Sequence, residues 1–165
     1  WNDDRRSGWM IEALSAVRPL GIDQNNAHVQ PDGSYHYHGV PTGLVDKLGR
    51  RAGLLLVGWA ADGFPIYVDP GLRPSWRLKA ARDPGGPAGK PDGTYSLDYE
   101  SVRGLGELDE CNGRAGATSE FPKGTYYYVV TDKFPFVPRC FVGAADASFV
   151  KQGGPHTQGG PPPRR

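Results

Sequence analysis

The sequence lacks any apolar run long enough to cross a bilayer as a helix. Its longest, Ala52 to Ala61, falls far short of the roughly 20 residues required, so no membrane span is expected. It also lacks an excess of charge: 19 basic against 18 acidic residues leave a net +1, and no basic run, Arg164-Arg165 included, is longer than two residues. Nucleic acid and anionic membrane surfaces are therefore poor partners. Methionine is nearly absent, Met10 being the only one, and both cysteines, Cys111 and Cys140, lie outside any Cys-x-x-Cys pair. No nucleophile elbow, phosphate loop, dinucleotide fingerprint or kinase motif occurs, which argues against hydrolases and transferases of those types. Asn112-Gly113-Arg114 is not a glycosylation acceptor.

Glycine and proline, by contrast, are abundant at 24 and 16 of 165 residues, so tight turns and loops outweigh long helices. The length suits one domain with one sizeable core. We expect a mainly β protein: a single compact antiparallel β domain, sandwich or barrel-like, with long Gly/Pro-rich loops and one or two short helices. It should occupy residues 1–150, with 151–165 a Gly/Pro-rich flexible tail unable to bury enough surface to fold alone.

Three of the four histidines fall in one stretch, Asn26 to His38. Pro31, Asp32 and Gly33 have the chemistry of a three-residue hairpin loop, with Gly33 in the left-handed position. That loop sets Gln30 opposite Ser34, Val29 opposite Tyr35, and His28 opposite His36. Side chains alternate along a strand. Ala27, Val29, Tyr35 and Tyr37 then share an apolar, core-facing side, and Asn26, His28, His36 and His38 share the other. His28 and His36 become cross-strand neighbours about 4.5–5.5 Å apart at Cβ, with His38 two residues on. A slip of one residue would carry His28 to the tyrosine face and disperse the cluster.

Three imidazoles without a fourth protein ligand suit a mononuclear metal site with an open coordination position. Zinc and copper both accept imidazole. The bland alternative is a polar sheet face that happens to carry histidines. A zinc site would make hydroxide near neutral pH and favour a hydrolase; copper would suit oxygen activation or storage, as an oxidoreductase or carrier. Asp62 is the candidate general base, although an Asp-Gly pair is also the commonest way to close a short hairpin. Asn26, on the histidine face, is a candidate supporting residue. Blue-copper electron transfer is disfavoured because it needs a His₂Cys set with an axial Met. A cupin site is disfavoured because no Glu follows His36-Tyr37-His38 within a few residues. Glu107, Asp109 and Glu110 could bind calcium, but they lack EF-hand spacing, and ion pairs to Arg103 or Arg114 are the simpler expectation.

At these residues the chain resembles the YHYH-domain family, named for the run Tyr35-His36-Tyr37-His38. The likeness continues through Asp23 to Gln30, Gly58 to Tyr67, Leu108 to Arg114, Gly124 to Tyr128, and Pro138 to Phe141, and covers roughly Gly21 to Phe149. It implies an exported bacterial protein, secreted or periplasmic, and carries no assigned reaction. The chain opens at Trp1 rather than Met, and a removed signal peptide fits that implication. In an oxidising compartment Cys111 and Cys140 would form one disulfide; buried thiols or a thiolate ligand are the alternatives.

Elsewhere, Trp9 to Val17 has spacing compatible with a short helix or a strand, and Leu44 to Leu48 with one helical turn. Leu54 to Ala60 and Phe64 to Val68 form a second, central hairpin about Asp62-Gly63. Asp69 to Gly89 reads as a surface loop pinned by Trp76. Pro91 to Tyr95 nearly repeats Pro31 to Tyr35 without histidines and should continue as a strand to Tyr99. Thr125 to Thr131 is the clearest strand, and Pro138 to Val142 the last. His156, in the tail, reads as incidental. A second functional class is a binding module presenting aromatic rings to an extracellular polymer or envelope partner; the expected burial of Tyr35 and Tyr37 opposes it. The partner, small molecule or polymer, and the oligomeric state are not readable from sequence.

Overall fold

The computed structural model describes residues 8–16, 20–49 and 53–149. The tail from 151, His156 within it, Trp1 and Val17 lie outside these described residues.

The core is organised on the segment richest in aromatic and β-branched residues. Strand β8 (Thr125–Val130) has Tyr126, Tyr127, Tyr128, Val129 and Val130 in succession, the composition that packs best on a pleated surface. It lies between β4 (Pro65–Val68) and β7 (Gly113–Gly116), and β3 (Leu55–Trp59) completes the order β3-β4-β8-β7. Two of the three pairings are antiparallel, but β4 and β8 run parallel, with Tyr67 opposite Val129. The sheet is thus mixed, and it does not close into a barrel. Both of its faces are covered. On one, Tyr67, Tyr127, Val129 and Leu108 form a buried cluster. On the other, Val68 and Val130 pack against Val45 of the helix α1 (Thr42–Leu48).

Two small antiparallel sheets flank this one: β1 (Ala27–Val29) with β2 (Tyr35–Tyr37), and β5 (Trp76–Leu78) with β6 (Tyr99–Ser101). The excursion after Asp69 is therefore not all loop. Trp76 pairs opposite Ser101 and sets its half-buried ring edge-on to Phe134, which bears out its role as a pin.

Several local expectations are corrected. Of the two alternatives for the segment from Trp9, the helix does not form over Trp9 to Ser15 and the extended one does in part: Ile11 bridges to Tyr95, and Glu12 N–H donates to Thr94 O at 2.9 Å, so Trp9, Ile11 and Tyr95 close a third buried cluster. The repeat of the Pro-Asp-Gly turn is real at its start. Ser34 and Thr94 each donate their N–H to the preceding Asp32 or Asp92 Oδ1 at 2.9 Å, and Gly33 and Gly93 share left-handed φ values of 83° and 85°. The two copies then diverge. Residues 96–98 coil into a 3₁₀ turn because the fully buried Asp98 reaches back to the backbone N–H groups of Asp92, Gly93 and Tyr95 and pairs with Arg82 at 2.7 Å. Burial alone would raise the Asp98 carboxyl, but the Arg82 and backbone donors outweigh it and hold it below the ordinary value. The hairpin about Asp62-Gly63 forms, and only its β4 arm is central. β3 is an edge with one partner among the described residues, bulged between Leu56 and Gly58 and exposing Trp59. Residues 138–142 form no strand, since Pro138 has no N–H and Val142 spends its own on the Tyr128 hydroxyl at 2.8 Å.

Cys111 and Cys140 form a disulfide across 29 residues, with Cα atoms 4.9 Å apart. Beside it, Arg139 reaches the buried Glu12 at 2.7 Å and lies 4.5 Å over the Phe134 ring. The bond therefore secures the segment that clamps the N-terminal residues. A closed loop of that length is worth about 3–4 kcal/mol of chain entropy. The Cys111→Ser/Cys140→Ser variant should melt roughly 10 °C below the parent in calorimetry, and dithiothreitol should produce the same fall in the parent alone.

Candidate metal centre

The hairpin adopts the register its loop dictates. Ala27 pairs with Tyr37, His28 with His36, and Val29 with Tyr35. Gln30 N–H donates to Ser34 O at 2.9 Å and Gly33 N–H to Gln30 O at 2.8 Å, which closes the loop.

The base of the hairpin is built by Asx residues. Asp23 Oδ1 accepts from the N–H groups of Asn25 at 2.8 Å and Ala27 at 3.1 Å, and its Oδ2 accepts from Tyr35 Oη at 2.6 Å. Asn25 Oδ1 accepts the Gly43 N–H at 2.9 Å, tying the hairpin to α1. Asn26 sits at φ 55°, a left-handed conformation that asparagine tolerates better than most residues. Its carbonyl accepts the His38 N–H at 2.7 Å, while its amide donates to Val40 O at 2.9 Å. Asn26 thus fixes the backbone on both sides of His38. Gly39 packs closely beside it: a Cβ there would meet Leu14 Cδ1 at 2.6 Å, and the Leu14 side chain would have to turn away.

These constraints bring the three imidazoles together. Ring centroids lie 4.5 Å (His28–His36), 4.8 Å (His28–His38) and 4.7 Å (His36–His38) apart, all edge-to-face. One ligand nitrogen from each falls within 4.8 Å of the other two, and each ring is half-buried. Among the described residues this is the only group of three or more His, Cys, Asp or Glu side chains so placed.

Two observations test whether these groups fit an ion. His28 Nε2 and His38 Nε2 stand 3.4 Å apart, long for a hydrogen bond. Two imidazole nitrogens bound to one zinc at about 2.0–2.1 Å and near the tetrahedral angle would stand about 3.3–3.4 Å apart. His36 Nδ1 is buried with no hydrogen-bond partner, an expensive state for a polar atom that coordination would relieve. The donor set, imidazole nitrogen throughout, suits zinc or copper and not calcium or magnesium.

Burial lowers the His38 pKa below 6.5, and the adjacent His36 and His28 push it further down; the Glu12 carboxylate acts weakly in the opposite sense. Loss of the proton prepares a nitrogen for coordination.

The other sequence candidates are placed elsewhere. Asp62 lies in the β3–β4 turn, where its Oδ2 accepts from Tyr128 Oη at 2.5 Å and Gly143 N–H at 3.1 Å, and it does not join the three histidines. Glu107 pairs with Arg73 at 2.7 Å, not with Arg103 or Arg114. Asp109 holds its own loop, accepting from Cys111 and Gly113 N–H and from Tyr126 Oη, and Glu110 is exposed, so these three carboxylates do not converge as a calcium site would require. The tyrosine face of the hairpin is a correction. Val29, Tyr35 and Tyr37 are 61%, 46% and 42% exposed, because β1–β2 is a separate two-stranded sheet and the main sheet has found other cover.

Sequence reasoning missed Gln30, whose amide nitrogen lies 3.4 Å from His36 Nε2. The two-residue period that puts His28 and Gln30 on one face would have found it. With its amide turned, Gln30 Oε1 would accept the Nε2 proton and leave Nδ1 as the free lone pair. The Glu12–Arg139 pair near His38 spans 127 residues and carries no local signal.

In comparisons with known proteins, a family model described as YHYH protein matches residues 1–143. No curated protein and no solved structure matches the chain.

In the metal-free protein, His38 should titrate below an ordinary imidazole in an NMR pH series. The sign for stability follows. The unfolded chain takes up this proton first, so stability present above about pH 6.5 is lost as pH falls through the folded-state pKa. Melting in a chelator between pH 7.5 and 5 should show that loss, and His38→Gln should flatten it.

Proposed function

The chain belongs to the YHYH protein family, and we propose that it is an extracytoplasmic metal-binding protein in which His28, His36 and His38 hold one transition-metal ion, zinc or copper, with a coordination position left open. The observation that carries this reading is the convergence of three ligand nitrogens within 4.8 Å of one another on a hairpin whose register admits no slip. The disulfide supports an oxidising compartment. No helix among the described residues is long and apolar enough to cross a membrane.

In this reading His28 and His38 present Nε2, His36 presents its unpartnered Nδ1, Gln30 fixes the His36 tautomer, and Asn26 holds the His38 backbone. When bound, zinc would supply an acidified water and copper a one-electron couple. No carboxylate joins the three imidazoles among the described residues, so the geometry favours holding an ion over any particular hydrolytic or oxidative step.

Elemental analysis of protein purified without chelator should find about one equivalent of zinc or copper. The His36→Ala/His38→Ala variant should have none while keeping the parent's far-ultraviolet dichroism. Absence of metal from the parent even after incubation with both ions would overturn the reading.

The exposed tyrosine face favours a second reading, a binding module for an envelope polymer. Exposed aromatic rings beside polar groups are suited to stacking on sugar rings. The Tyr37 hydroxyl makes no hydrogen bond among the described residues, and its ring lies edge-on to Tyr35. If this reading holds, Val29→Ser/Tyr37→Ala should abolish co-sedimentation with insoluble peptidoglycan and leave the metal content of the parent intact. If neither protein sediments, this second reading fails.

A further inference from the structure

Behind the histidine hairpin, between α1 and the main sheet, lies a cavity of about 250 Å³. Val40, Val45, Leu55, Val68, Pro70 and Val130 make up most of its wall. Val45, Val68 and Val130 are themselves nearly inaccessible, so this wall is rigid core and not a loose surface fold. Asn26, Thr42 and Asp132 are the polar residues of its lining.

Those polar groups are unequal. Thr42 Oγ1 already donates to Gln24 O at 2.6 Å, and the Asn26 amide donates to Val40 O at 2.9 Å. Asp132 is exposed and sits at the rim as the acidic residue of the lining. Among the described residues that line the space, Asp132 is the one charged side chain. A carboxylate or phosphate entering it would meet the like charge of Asp132. A hydrocarbon would find the valine wall, and a cationic or hydrogen-bond-donating end would find Asp132.

We propose that this cavity binds a compact, mostly hydrocarbon molecule ending in an ammonium or a hydroxyl group. An apolar cavity of about 150 Å³ accepts benzene, and the same proportion gives this one room for about ten non-hydrogen atoms. The site is independent of whether the histidines hold metal, but the two share a wall. Asn26 lines the cavity and its carbonyl holds His38, so an occupant stands two residues from the imidazoles.

The test uses three probes of one chain length: n-hexylamine, 1-hexanol and hexanoate. Each is titrated at pH 7 into the full chain, in chelator, with amide and methyl resonances as readout. Hexylammonium should bind tightest, hexanol next, and hexanoate at least tenfold more weakly than the amine, with shifts centred on Val45, Val68 and Val130. Asp132→Asn, a surface change that does not threaten folding, should bring the amine and the alcohol to within about twofold of each other. Val40→Phe should weaken all three. Equal binding of amine and carboxylate by the parent, or shifts located elsewhere, would overturn the proposal, as would the absence of binding by every probe. Repeating the titration on His36→Ala/His38→Ala separates the two sites. Retained probe binding there supports the cavity whatever the outcome of the metal analysis, and its loss would show that the cavity does not stand on its own.

Discussion

Everything at the histidine centre depends on one loop. Ser34 N–H on Asp32 Oδ1 and the left-handed Gly33 allow only one way for the two short strands to meet. In that register His28 opposes His36, and His38 follows on the same side. A sheet with period two has no intermediate setting, so a one-residue slip would carry His28 to the tyrosine side and leave His36 and His38 without it. Three-residue strands have little ladder of their own to enforce this. The enforcement comes from outside them, through Asp23 at the base and Asn26, whose left-handed backbone lets one residue hold both His38 and Val40.

That dependence explains why the site was legible in the sequence. The loop residues, the alternation and the histidines all lie within thirteen consecutive positions, and each reads by a local rule. The strand β8 was legible for the same reason, its aromatic and β-branched run having no other comfortable state. What was not legible was cover. The alternation put Ala27, Val29, Tyr35 and Tyr37 on one face, and only Ala27 is buried. Local pattern sets which side chains share a face but not whether another layer lies over it. The Pro-Asp-Gly repeat makes the same point. Identical turn chemistry at Asp32 and Asp92 leads to a strand in one copy and a 3₁₀ turn in the other, because only the second has an Asp98 with Arg82 to draw the chain back.

Long-range pairings were the other blind area. The Glu12–Arg139 contact, the parallel β4–β8 ladder and the Arg73–Glu107 pair join residues that share no periodicity and no motif. Candidate carboxylates near motifs, Asp62 and Asp109 among them, turned out to hold turns and tyrosine hydroxyls. An acidic residue in a Gly-rich segment more often satisfies its own loop's N–H groups than serves chemistry, and the structure gives each of these its local occupation.

The separation between local hairpin and distant clamp has a consequence in time. The β1–β2 ladder joins residues at most ten apart, and hairpins of this kind close within microseconds. The main sheet must first bring β4 beside β8, across about sixty residues, and such non-local closure is slower because more chain entropy is surrendered before any contact returns it. The three imidazoles can therefore meet repeatedly in a chain whose core has not formed. An isolated two-stranded hairpin is only marginally stable, so those early meetings are transient until Asn25 and Asn26 find α1 and Val40. The contacts that define the site are thus sampled before the scaffold and kept only with it, unlike those of a centre assembled from residues scattered over a finished core.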